Sequence, residues 1–201
     1  MKAMHKTWQI RHVEGTPDWE NIPELEVSEI LWLPDCGIRA FGRFCYDDSF
    51  LRVRLRAVEE NIRAELTAPL SRVCEDSCLE FFFMPEGETR YFHFEINPKG
   101  CLYIGFGHGR EDSTILYPKN IRQLFEIQTE KTPDGWAVAY AIPLSFLRLF
   151  WPDFSFSGTL RANVYKCGEQ TVREHYLSWN PVRSETPDFH RPEDFGVMIF
   201  A

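Results

Sequence analysis

The chain has no apolar run approaching the roughly 20 residues of a membrane-spanning helix. Its opening stretch, Met1 to Gly15, contains no apolar segment of the kind that directs export. The expectation is a cytoplasmic protein that does not engage a membrane. Basic charge is in deficit. Lys and Arg number 22 against 30 Asp and Glu in 201 residues, a formal net charge of −8. An acidic surface repels phosphate backbones, which argues against nucleic acid as a partner. Nucleotide-loop chemistry is also missing: Gly105-x-Gly107-x-Gly109 resembles a phosphate loop by composition only, with no GK[ST] and no helix start after it. No EF-hand spacing exists, so Asp47, Asp48, Asp76 and Asp112 read as turn formers rather than calcium ligands. Of the six cysteines (Cys36, Cys45, Cys74, Cys78, Cys101 and Cys167), only Cys74 and Cys78 are close in sequence, and no second Cys/His pair stands at zinc spacing. With no export signal, the six are expected as reduced thiols packed as small hydrophobes. Linkers, low-complexity tracts and clear repeats are lacking as well.

What the chain does hold is aromatic. Phe, Tyr and Trp make up 15% of it, with 17 Phe and 6 Trp, and its 13 Pro and 12 Gly are scattered between short apolar runs. That spacing predicts many short strands and turns. Strands are expected at Trp8–Ile10, Ile38–Tyr46 with a bulge at Gly42, Leu51–Val58, Ile62–Thr67, Cys101–Phe106, Phe125–Glu130 paired with Trp136–Ile142, Thr159–Lys166, His175–Trp179, and after Gly196. Shorter segments at Trp19–Pro23 and Ile30–Pro34 end at prolines, 107–120 reads as loop, and 145–150 as a single helical turn. The predicted fold is one all-β domain over residues 1–201, an antiparallel β-sandwich with very little helix.

The most informative stretch is Leu79–Ile96. Leu79, Phe81 and Phe83, then Phe92, Phe94 and Ile96, alternate with Glu80, Phe82, Met84, Tyr91, His93 and Glu95 about a Pro85-Glu86-Gly87-Glu88 turn. A hairpin with one apolar face follows. Its symmetric register sets Glu80 opposite Glu95, Phe82 opposite His93 and Met84 opposite Tyr91. Two carboxylates directly opposite one another repel, so a cation, a shared proton or a hydroxyl-rich ligand is needed beside them. In Leu51–Val58 the arginines Arg52, Arg54 and Arg56 share one face, which is either a solvated outer surface or counter-charge for this acidic pair. Along Thr159–Lys166, Leu160, Ala162 and Val164 point inward, and Arg161, Asn163 and Tyr165 share the other face. Carboxylates, an amide and a guanidinium can grip vicinal hydroxyls, and flat rings stack on the apolar face of a sugar. Three other chemistries fit less well. Glu80 and Glu95 could act as a glycosidase acid/base pair, but strand neighbours lie side by side rather than across a bond. His93 and Met84 are too far apart along the hairpin to share one haem iron. A merely solvated sheet face would leave the aromatic rings exposed at a cost.

Glu75-Asp76-Ser77-Cys78-Leu79-Glu80-Phe81-Phe82 resembles the DS-V-E-x-F strand of family 9 carbohydrate-binding modules. Further matches follow in the same order at Phe94–Gly100, Asp134–Trp136 through Ile142-Pro143, Ala162–Tyr165, Leu177–Trp179 and Phe189–Gly196, from about Trp19 to the C-terminus. The resemblance implies a DOMON-like, immunoglobulin-like β-sandwich that binds a mono- or oligosaccharide without cleaving it, beside separate glycoside-degrading enzymes, with Ca2+ often stabilising loops. It places Phe189 at one ring of an aromatic clamp and Glu80 at a sugar-binding carboxylate. The other clamp position holds Val73, and Glu95 stands where the family has a basic residue, so Trp179 or His190 is the candidate for the missing surface. The expected sugar-binding set is Glu80, Phe82, His93, Glu95, Arg161, Asn163, Tyr165, Trp179, Phe189 and His190.

Overall fold

The computed structural model describes residues 5–201. Its strands are β1 (Thr7–His12), β2 (Glu24–Val27), β3 (Glu29–Ile30), β4 (Arg39–Tyr46), β5 (Phe50–Val58), β6 (Cys78–Pro85), β7 (Tyr91–Ile96), β8 (Leu102–Gly107), β9 (Ser113–Leu116), β10 (Gln128–Thr132), β11 (Gly135–Pro143), β12 (Thr159–Gly168), β13 (His175–Ser178) and β14 (Gly196–Phe200). The α-helices α1 (Ile121–Leu124) and α2 (Leu144–Leu147) are single turns. One layer runs β10-β11-β5-β4 with β2 against β4, and the other runs β14-β12-β6-β7-β8-β9 with β13 on β12 and β3 on β13. β1 joins them. Its Thr7–Ile10 half pairs parallel with β14 and its Arg11-His12 half parallel with β4, so one strand turns the corner between the layers. Every other pairing is antiparallel, and the expected β-sandwich stands as a curled mixed sheet.

Alternation explains the core. Leu79, Phe81, Phe83, Phe92, Phe94 and Ile96 are buried between the layers. Phe81 meets Phe44 of the opposite layer at 5.0 Å between ring centroids, and Phe94 lies nearly parallel to Tyr140 at 6.0 Å. Each buried ring of this kind stabilises the fold by about 1.5–3 kcal/mol. One inward position breaks the apolar pattern. Lys166 of β12 is fully buried, with Nζ 2.9 Å from Cys167 O, 2.7 Å from His175 Nε2 and 3.2 Å from Glu59 Oε1. Glu59 also accepts from Trp136 Nε1 at 2.5 Å and from Ser77 Oγ at 3.1 Å. This polar knot joins the end of β5 to β12 and β11 and leaves no lone charge in the interior.

Three expectations need correction, and one open alternative is decided. Ile62–Thr67 forms no strand. Its backbone is held instead by the Asp76 carboxylate, which accepts from the Glu65 and Leu66 amides at 3.0 and 2.9 Å, while Leu66 O accepts from Asn97 Nδ2. Side chains thus take the place of a partner strand. The expected 107–120 loop contains β9, paired with β8. Gly42 sits in an unbroken ladder opposite Leu55 rather than in a bulge, and the ring of Phe44 lies where its Cβ would be. Of the two readings open for the row Arg52, Arg54 and Arg56, the outer surface holds: the row faces outward on the far layer and pairs with Asp47, Glu126, Glu130, Glu24 and Asp134, so it gives the Glu80–Glu95 pair no counter-charge.

Candidate functional site

The β6–β7 hairpin adopts the expected register, with Glu80 opposite Glu95 and Phe82 opposite His93, and β12 sets Tyr165 beside Glu80 and Asn163 beside Phe82. These side chains do share one face. That face is covered, however, because 179–195 folds back over it and leaves β6 and β7 buried on both sides. The cover consumes several of the expected residues. Asn163 donates to Asn180 O at 3.0 Å and accepts from the amides of Asn180 and Val164 at 2.8 and 3.0 Å. Tyr165 donates its hydroxyl to Phe189 O, and Arg161 donates to Phe195 O. Trp179 is buried in the core with its indole against Gly196. Arg161, Asn163, Tyr165 and Trp179 therefore secure the covering segment rather than face a ligand. In particular, Arg161 does not neutralise Glu95.

A crevice of about 90 Å³ remains open at the other end of the face. It is lined by Glu80, Phe82, Glu95, Phe189 and His190 from the expected set, together with Trp32, Cys74, Arg110, Cys167, Glu169, Tyr176 and Asp188. Phe82 forms its floor, ringed by Tyr91, His93, Tyr165 and His190 at 5.0–5.9 Å. Phe189 stacks on Tyr165 at 4.1 Å with 13° between planes, and its ring lies 5.6 Å from Trp32. The two outer rings touch, so they form a continuous aromatic rim and not a two-sided clamp. Trp32 reaches this position through a left-handed backbone, φ 57°, and its indole N–H donates to Ser184 O at 2.7 Å. A non-glycine residue held at positive φ costs of order 1 kcal/mol and is often found where a site fixes a side chain.

The polar wall is finely divided between donors and acceptors. Burial, and then the charge of Glu95, push the Glu80 pKa well above its ordinary value. Glu80 also accepts from the Cys167 thiol at 3.0 Å. The Cys167 thiol is pushed well up by its hydrogen bond with Cys78 and by burial. Glu95 Oε1 lies 2.8 Å from His93 Nδ1, and His93 Nε2 lies 2.9 Å from Ser113 Oγ. Gly105, opposite His93 on β8, is required there, since a Cβ would overlap the imidazole. His190 Nδ1 lies 2.8 Å from the Tyr91 hydroxyl, and burial, His93 and Arg110 lower its pKa to about 3. Arg110 forms the mouth, ion-paired with Asp188 at 3.1 Å.

Cys167 was within reach of the sequence, one more step along the alternation Arg161, Asn163, Tyr165. Trp32, Arg110 and Asp188 were not, because they come from turns with no period. The four aspartates do not gather into a calcium site. Asp47 pairs with Arg52, Asp112 with His108, and Asp48 lies near His12. Asp76 is saturated by Arg63, the Glu65 and Leu66 amides and Asn97 Nδ2. A wider cavity of about 520 Å³ lies at the β10–β11 turn, lined by Glu59, Asn61, Asp134 and Arg173 among others, without a single aromatic ring. All six cysteines are free thiols.

The class is thus a β-sandwich whose sheet face carries a small crevice with an aromatic rim and an acidic wall. The model of carbohydrate-binding family 9 matches residues 13–200, and the chain belongs to that family. Among solved structures, a Bacteroides uniformis protein proposed to bind carbohydrate is 26% identical, covering 98% of this chain and 100% of that one with a TM-score of 0.85. A family 9 module from Caldicellulosiruptor kristjanssonii in complex with cellotriose is 13% identical, covering 97% of this chain and 93% of that one, TM-score 0.66. The same organism's module with glucose is 14% identical, covering 98% and 96%, TM-score 0.66. A search of the curated proteins finds no match. Among the described residues, no helix is long and apolar enough to cross a membrane.

Proposed function

We propose that this protein binds carbohydrate without cleaving it, and that the crevice between Trp32, Phe189 and the Glu80–Glu95 wall is where the sugar docks. The observation that carries this reading is the convergence of an aromatic rim with closely set carboxylates and one guanidinium, in a chain of family 9. Hydroxyl groups both donate and accept. The carboxyl groups of Glu80, Glu95, Glu169 and Asp188 can accept from them, and Arg110 can donate. The space is small, about 90 Å³. It therefore suits the hydroxyl-bearing edge of one terminal sugar, with the ring resting on Trp32 and Phe189. Trp32 supplies the surface that Val73 cannot, since Val73 is buried in the core. Glu80 and Glu95 stand side by side in one wall, so they cannot flank a glycosidic bond from opposite sides.

Glucose and cellotriose, the sugars in the related complexes, are the first probes, followed by a wider glycan panel. Calorimetry should show saturable binding that Trp32→Ala and Glu80→Gln each weaken by about ten-fold, or ~1.4 kcal/mol. No aryl glycoside should be turned over. Turnover that Glu80→Gln abolishes would replace this reading with a glycoside hydrolase. Silence across the whole panel would favour a member that has lost its ligand, the alternative suggested by the internal bonds of Arg161, Asn163 and Tyr165. The six free thiols support a reducing compartment such as the cytoplasm, and partnership with separate glycoside-degrading enzymes is part of the same proposal.

A further inference from the structure

His93, Glu95 and His190 bring three ligating atoms within 4.8 Å of one another beside the crevice. We infer that this cluster is a binding site for a divalent transition-metal ion, Zn2+ or a borderline relative, with one coordination position left open toward the crevice. The inference is independent of the sugar reading and goes beyond it.

Two imidazoles and one carboxylate are a donor set that Zn2+ and its neighbours take up with three protein ligands and a fourth, exchangeable one. The rings of His93 and His190 stand 4.9 Å apart at 83°, and one nitrogen of each lies within 4.8 Å of the other and of a Glu95 oxygen. A tetrahedral ion with metal–nitrogen bonds of about 2.0–2.1 Å keeps its ligand atoms about 3.3 Å apart, so the three atoms need to close by at most ~1.5 Å. Each histidine also has the outer partner that ligating imidazoles use to fix their orientation. Tyr91 holds His190 Nδ1, and among the described residues His190 Nε2 has no hydrogen bond. Ser113 holds His93 Nε2. The proton now shared by His93 Nδ1 and Glu95 Oε1 is the group the ion displaces. The imidazole changes tautomer: the proton leaves Nδ1, Nε2 becomes the protonated nitrogen, and that N–H donates to Ser113 Oγ. The surroundings favour a cation: Glu80, Glu95, Glu169 and Asp188 line the crevice against the single guanidinium of Arg110. A dication also answers the repulsion between Glu80 and Glu95, which face each other across the hairpin.

The test uses the full untagged chain, stripped with chelator and titrated with Co2+ and with Zn2+ in the absence of sugar. The expected result is one equivalent bound, with the visible absorption of tetrahedral Co2+. Affinity should fall by about 10- to 100-fold in Ser113→Ala and further in His93→Gln and His190→Gln. In the wild-type chain, Zn2+ should shift the imidazole 15N resonances of His93 and His190, a readout that does not depend on any variant folding. No saturable uptake, uptake unchanged in both histidine variants, or unshifted imidazoles would each overturn the assignment. So would a thiolate charge-transfer band that vanishes in Cys167→Ser, which would place the ion among Cys78, Glu80 and Cys167. Metal uptake without sugar binding would sink the sugar proposal alone, and the reverse outcome would sink this one alone.

Discussion

Replacing Lys166 with methionine removes a buried ammonium and leaves Glu59 facing the interior with its charge unmatched. Lys166 is fully buried and Glu59 5% exposed, so solvent cannot screen the loss. Breaking a buried pair by deleting one partner costs about 3–5 kcal/mol, a large share of the roughly 5–15 kcal/mol by which a domain is stable. Glu59→Gln alone strands the ammonium in the same way, although its amide oxygen still accepts from Trp136 Nε1. With both changes no charge is left to strand, so the double variant should lose about 2–3 kcal/mol less than the sum of the singles. Urea unfolding followed by tryptophan fluorescence measures all three, with Trp136 as a reporter inside the network. A second readout comes from His175, whose pKa is lowered to about 4 by burial and then by Lys166. A lowered histidine pKa contributes stability that is present above about pH 6.5 and lost as pH falls toward 4. Removing the Lys166 charge should make that acid loss shallower. A Lys166→Met cost below about 1 kcal/mol, or strictly additive singles, would refute the view that this knot is a coupled charge pair tying the two layers together.

Glu80→Gln should change the pH dependence of stability in a defined direction. The folded-state pKa of Glu80 is raised, so in the wild type this group's contribution declines as pH rises above the ordinary carboxylate value near 4.3, and the glutamine variant has no such decline. The gap in unfolding free energy, glutamine minus wild type, should widen steadily as pH rises from 4 to 8, and a flat difference would count against it. Gly105→Ala would drive a methyl into the His93 imidazole. It should cost about 1–3 kcal/mol and shift the His93 ring resonances, whereas an unchanged melting temperature and spectrum would show that the ring is not confined.

The parts of this molecule that alternation governs were legible. The hairpin register that sets Glu80 against Glu95 follows from period-two patterning and a four-residue turn, and it is what the structure shows. The Arg52, Arg54 and Arg56 row was legible as a face, but its partners come from β2, β10 and turns, which local pattern cannot assign. Lys166 was hidden because an inward strand position is read as apolar, and the side-chain partners that make its burial tolerable, Glu59 and His175, are distant in sequence or shielded by a turn. The covering segment 179–195 has no period at all. Its bonds to Arg161, Asn163 and Tyr165 run from side chain to backbone carbonyl, so the residues that looked most like sugar ligands turned out to be its anchors. Trp32 entered the site through a left-handed turn that its sequence does not announce.

The most direct test of the account is a titration of the 15N-labelled protein with cellotriose, followed by amide chemical shifts. Saturable shifts are expected, concentrated at Trp32, Glu80, Glu95, Arg110 and Phe189 to His190. Shifts gathered instead around Asn61, Asp134 and Arg173 in the wider cavity, or no shifts with this or any other sugar of the panel, would contradict it.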